Sequence, residues 1–134
     1  MNARELVERA IALESHLTAF GLGVFGHPRD AIERFIQARE RLLSNEGLLE
    51  VALCAQWLRE GHATGERNSY GLKHEVENHY GVYIANGSLI AAALGMGLRY
   101  RVERPNVVLA LGAEEPAAQH PSPTSVRRAA PRVV

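Results

Sequence analysis

Lysine is almost missing from this chain: Lys73 is one of 15 basic residues, and the other 14 are arginine. With many alanines, that bias points to a GC-rich genome and is no sign of selection for nucleic acid. Cysteine is equally scarce. A lone Cys54 excludes an internal disulfide and a cysteine-held structural metal. No run of about 18 apolar residues occurs, which argues against a membrane-spanning helix. Net charge is also absent, at +0, so nothing marks an obvious polyanion binder. The opening "MNARELVERA" alternates charges where a signal peptide needs an apolar stretch, so the bacterial cytoplasm is the expected compartment.

What remains is ordinary folded protein. The 134 residues suit one domain with a real core, at 46% hydrophobic and 22% charged. Charge is unevenly spread. Residues 1–66 carry 7 basic and 10 acidic groups, and residues 67–134 carry 8 and 5, which makes the second half the side facing any nucleic acid.

Hydrophobic spacing predicts five helices. Leu6, Ala10, Leu13, Leu17 and Phe20 keep one stripe over 3–20, with Gly21 as a stop. Pro28 opens a second helix over 28–44, whose inward face is Ile32, Phe35, Ile36, Arg39, Leu42 and Leu43. The third, over 46–60 and capped by Asn45, is apolar around much of its circumference, as a central or partner-covered helix would be. "HATGERN" reads as an exposed connection. A helix over 70–80, capped by Ser69 and ended by Gly81, is followed by a turn and a helix over 87–97 capped by Asn86. In that last helix the alanines and glycines after Ile90 permit close approach of another backbone, with Gly95 at a contact or a frayed end. The period then changes to two. Leu98, Tyr100 and Val102 alternate with Arg99, Arg101 and Glu103, and "VVLAL" follows after "RPN", giving a ribbon over 98–111. The Pro-, Ala- and Ser-rich segment 113–134 reads as a mobile tail.

The expected fold is therefore mainly α. A helical scaffold over 1–66 is followed by a helix-turn-helix and two-stranded β-ribbon over 67–112, a winged-helix-like unit in the same compact domain. In such a unit the second helix enters the major groove and the ribbon touches backbone. The nucleic-acid-binding candidates are Arg99, Arg101 and Arg104 on the wing, Lys73 near the start of the first helix, Asn86 and Ser88 at the start of the second, and Tyr70 as an exposed stacking ring. Tyr80 and Tyr83 read as core. Against this, "NGSLIAAALGMG" offers no Arg, Lys or Gln to read bases, and its bland alternative is a buried helix in which Asn86 and Ser88 only cap.

Chemistry is hard to find. His62, His74 and His79 invite a metal reading, but His74 and His79 lie five apart and do not share a helix face. Glu75 and His79 do share one, but two ligands are too few, so solvated histidines, no metal and no cofactor are expected. Glu75 and Glu77 lie on opposite sides, Cys54 reads as core filling, and "GLGVFG" lacks the preceding strand of a dinucleotide site.

"SYGLKHEVE", "GVYIANGSLIAAALGMGLRYR" and "PNVVLAL" resemble a signature of uncharacterised short proteins from bacterial plasmids, integrative elements and prophages, over Ser69 to Leu111. The resemblance implies a setting in accessory DNA, where small regulators and inhibitors of host defence are common. Two non-enzymatic functions follow as expectations. One is a homodimer binding double-stranded DNA through the winged-helix-like unit. The alternative is an inhibitor or adaptor that engages a host protein through apolar helical surface. A helix 5 buried on all sides favours the second.

Overall fold

The computed structural model describes residues 1–23, 28–112 and the two-residue strand Arg127–Arg128. The protein is mainly helical with small antiparallel sheets, and none of the described helices is long and apolar enough to cross a membrane. The elements run α1 (Ala3–Leu13), β1 (Leu17–Thr18), β2 (Gly21–Leu22), a 3-10 turn (Pro28–Asp30), α2 (Ala31–Leu43), α3 (Asn45–Arg59), β3 (Gly65–Asn68), α4 (Ser69–Tyr80), α5 (Asn86–Gly95), β4 (Arg99–Glu103), β5 (Asn106–Leu111) and β6 (Arg127–Arg128).

The centre of the molecule is α5. All ten of its residues are buried, between α1 and α3 with α4 and the β1–β2 hairpin at its flanks. A helix apolar around its whole circumference is stable only when enclosed. Leu89, Ile90 and Leu94 are fully buried, each worth about 1.5–3 kcal/mol relative to exposure. The intervening alanines and glycines let neighbours approach at backbone distance. At Gly95 the neighbour is the backbone of Leu6 in α1, and at Gly87 it is that of Thr18 in the hairpin. The expected contact at Gly95 is therefore present, inside the helix. The central helix is α5 and not α3, which exposes Leu49 and buries a stripe of Gly47, Glu50, Val51, Cys54, Ala55 and Trp57.

Three local expectations are corrected. The first helix ends at Leu13, seven residues early, because Arg39 gives the chain beyond it an alternative. Its Nη2 donates to the Ser15 carbonyl (2.6 Å) and its Nε to that of Leu17 (2.8 Å), while the Thr18 hydroxyl donates to Gly23 O (2.7 Å). These bonds close a hairpin where the apolar stripe alone suggested helix. The same Arg39 fixes the roll of α2, stacking on Phe35 at 4.9 Å, so that Ala38 and Leu42 face inward and Ile32 and Ile36 are exposed. Finally, "HATGERN" contains β3, which pairs antiparallel with β5 from Gly65 to Asn68.

The sheet order is β3-β5-β4-β6, all antiparallel. Tyr100 is buried as the alternation requires, and its hydroxyl donates to Glu14 at 2.7 Å, which ties the sheet to the end of α1. Caps shift by one residue from the sequence reading. Ser44 and Asn68 are the N-caps of α3 and α4, and the Ser69 hydroxyl accepts from Val107 N–H instead. Beyond Gly112, the segment expected to be a tail lies outside the described residues except for β6.

Candidate functional site

The seven residues singled out for nucleic acid do not form one surface. Asn86 and Ser88 lie inside, at the start of α5. The Asn86 amide donates to Phe20 O (3.2 Å) and Asn106 Oδ1 (2.8 Å), and the Ser88 hydroxyl donates to Glu50 Oε1 (2.9 Å). Neither caps the helix through its side chain. The residue in the N-cap position is Ala85, and its N–H donates to the same Glu50 oxygen at 3.0 Å. A carboxylate from α3 therefore caps α5 from outside, with its charge at the positive end of the α5 dipole.

Lys73 is also buried. Its ammonium donates to Glu77 at 2.9 Å and lies 4.5 Å from the centre of the Tyr83 ring and 5.4 Å from that of Tyr70. Tyr70 is half exposed and meets His74 edge-on. Burial raises the Glu77 carboxyl, but bonds from Ile84 N–H, Lys73 and His74 more than offset this, leaving its pKa below the usual 4.5. A folded-state pKa below the unfolded value contributes stability that is present above pH 4.5 and lost as pH falls through the depressed value. Glu77→Gln should therefore be less stable at neutral pH and show a shallower loss on acidification. Urea midpoints between about pH 3 and 7 check this, and parallel wild-type and variant curves would refute it.

Arg101 is ion-paired on the sheet, with Glu66 at 3.3 Å and Glu103 at 3.5 Å. The Nε and Nη1 of Arg99 are buried without a hydrogen-bond partner, and Arg104 is exposed in the β4–β5 turn. On the wing, only Arg104 is both exposed and outside the recorded ion pairs among the described residues.

A different surface has the shape of a site. A groove of about 270 Å³ opens between one face of α2, the hairpin and the segment leading into α5. Phe20 and Tyr83 stand at it with large exposed rings, Ala38 and Ala85 contribute apolar wall, and Arg34, Gln37 and Arg41 follow one another at helical spacing along α2. Arg41 is held by Glu50 at 2.7 Å, while its Nη1 has no hydrogen-bond partner. This volume suits one or two side chains better than a drug-sized ligand. The spacing Arg34, Gln37, Ala38, Arg41 was visible in the sequence. What concealed the site was Tyr83, which reads as core and is 63% exposed.

Among the described residues, no Ser, Thr or Cys lines the groove. Cys54 is fully buried, and burial, with the charges of Glu50 and Glu77, pushes its thiol far up. Histidines do gather elsewhere: His62 and His79 stand beside Glu60 at the C-terminal ends of α3 and α4. Comparison with protein-family models, curated proteins and solved structures finds no match for the chain.

Proposed function

We propose that this protein is a non-enzymatic binding module that engages another protein through the Phe20–Tyr83 groove. The observation that carries this is the enclosure of α5. In the winged helix-turn-helix reader expected from the sequence, the helix in the α5 position must lie open to a groove. Here α1 and the hairpin cover it, and Lys73, Asn86 and Ser88 bond within the protein. Apolar rings are exposed instead at a concave site with arginines on one wall, the kind of place where a single buried anchor dominates an interface. The occupant that fits is an apolar side chain of a partner with a carboxylate beside it, facing Arg34 and Arg41. An inhibitor or adaptor acting on a host factor is the form this function takes in the accessory-DNA setting.

The DNA reading has one specific support, the exposed Arg104 at the tip of the ribbon. One comparison separates the two. Phe20→Asp with Tyr83→Asp should eliminate a protein partner that wild type retains from nuclease-treated extract and that binds again when both are purified. Arg101→Glu with Arg104→Glu should leave that partner bound. Salt-dependent retention of duplex DNA by wild type, abolished by the arginine changes and indifferent to the groove changes, would overturn the proposal in favour of DNA.

A further inference from the structure

Another part of the surface carries a cluster that the groove does not use. Gly61, at φ +75°, reverses the chain just past α3 and returns His62 beside Glu60, with Nε2 2.9 Å from Oε1. Trp57, one turn earlier in α3, stacks against the His62 ring at 5.3 Å and holds its orientation. From α4, His79 meets His62 with ring centroids 4.8 Å apart. One ligand atom from each of Glu60, His62 and His79 falls within 4.8 Å of the others.

We propose that Glu60, His62 and His79 form a three-ligand site for a divalent transition-metal ion, with Zn²⁺ as its natural occupant and the fourth position open. Two imidazoles and a carboxylate are a donor set that zinc accepts in tetrahedral geometry at about 2.0–2.2 Å, which separates neighbouring ligand atoms by about 3.3 Å. The Glu60–His62 pair, at 2.9 Å, is close to that spacing, and all three side chains are exposed, so side-chain torsions can adjust the pair and bring His79 in. The electrostatics favour a cation independently of the ligands. Glu60 is the C-cap residue of α3, and His79 lies in the last turn of α4, so both negative helix ends face the site. Trp57 packs against the ring of one ligand. The ion would clip the ends of α3 and α4 together across the connection that carries β3.

The chain supplies its own probe, since Trp57 is its single tryptophan and is stacked on a ligand. Adding ZnCl₂ to the full protein at neutral pH should change Trp57 emission, saturating at one equivalent by calorimetry, and should raise the melting temperature. His62→Ala, His79→Ala and Glu60→Gln should each weaken binding by at least about tenfold without altering the fold by circular dichroism. Binding should also weaken as pH falls, because protons compete with the ion for its ligands. An absence of saturable zinc binding overturns the proposal. So does binding that survives the double change His62→Ala/His79→Ala, which would place the ion at other histidines.

Discussion

Gly87→Ala should strongly destabilise the protein, although the same exchange in an open helix is stabilising. At this position an added Cβ would meet the carbonyl oxygen and carbon of Thr18 and the carbonyl carbon of Ala19, all backbone atoms that no rotamer change removes. The approach is locked, because Gly87 N–H donates to Ala19 O at 2.9 Å. Gly95→Ala should behave alike, its Cβ driving into the Leu6 backbone of α1. Alanine gains up to about 1 kcal/mol in helix propensity. Overpacking a closed core costs about 1–3 kcal/mol and occasionally more, and two backbones in contact place these sites at the top of that range. Gly71→Ala is the control. Gly71 lies in α4 with open space where its Cβ would go, so that variant should be as stable as wild type or more so. Urea unfolding of the three variants reads the contrast. Equal stability for Gly71→Ala and Gly87→Ala would mean that α5 does not lie against the hairpin.

Whether the sequence reveals an element depends here on how far away its determinants lie. The helices α3, α4 and α5 and the β4–β5 ribbon were legible because periodicity, glycine stops and alternation are local. Their caps slipped by one residue only, since Ser44 and Asn68 stand beside the Asn45 and Ser69 that could equally have served. The β1–β2 hairpin and β3 were not legible. Leu17 and Phe20 continue a helical stripe, and the bonds that override it come from Arg39, on another helix; β3 is a strand only because β5 lies beside it. The sites follow the same rule. Asn86 and Ser88 look like reading or capping groups until Phe20, Asn106 and Glu50 are brought to them. Of His62, His74 and His79, helical spacing relates only the last two, whereas the fold brings His79 to His62.

Glu50 is where stability and function meet, and Glu50→Ala should be among the most damaging single changes, alongside those at Gly87 and Gly95. Its carboxylate is almost fully buried and serves three donors: Ala85 N–H at 3.0 Å, the Ser88 hydroxyl at 2.9 Å and Arg41 Nη2 at 2.7 Å. Truncation leaves the start of α5 uncapped inside the core and Arg41 without its counter-ion. Breaking a fully buried ion pair from one side costs about 3–5 kcal/mol; the Arg41 side chain is 33% exposed, so the loss here should lie at the low end of that range, still a large share of the roughly 5–15 kcal/mol that holds a domain together. Glu50→Gln keeps one oxygen for Ala85 and Ser88 but turns an amide NH2 toward Arg41 and so loses that ion pair; its loss should be smaller than that of Glu50→Ala. Crossing it with Arg41→Met in a double-mutant cycle should show a coupling of about 0.5–3 kcal/mol by urea unfolding. If Glu50→Ala unfolds within about 0.5 kcal/mol of wild type, the remote cap contributes nothing. Arg41 also lines the Phe20–Tyr83 groove, and this gives Glu50→Gln a second, opposite consequence. With its internal partner neutralised, the guanidinium is available to a partner's carboxylate. The variant should be less stable than wild type and bind an acidic partner more tightly, whereas a groove that plays no part in binding would show only the first effect.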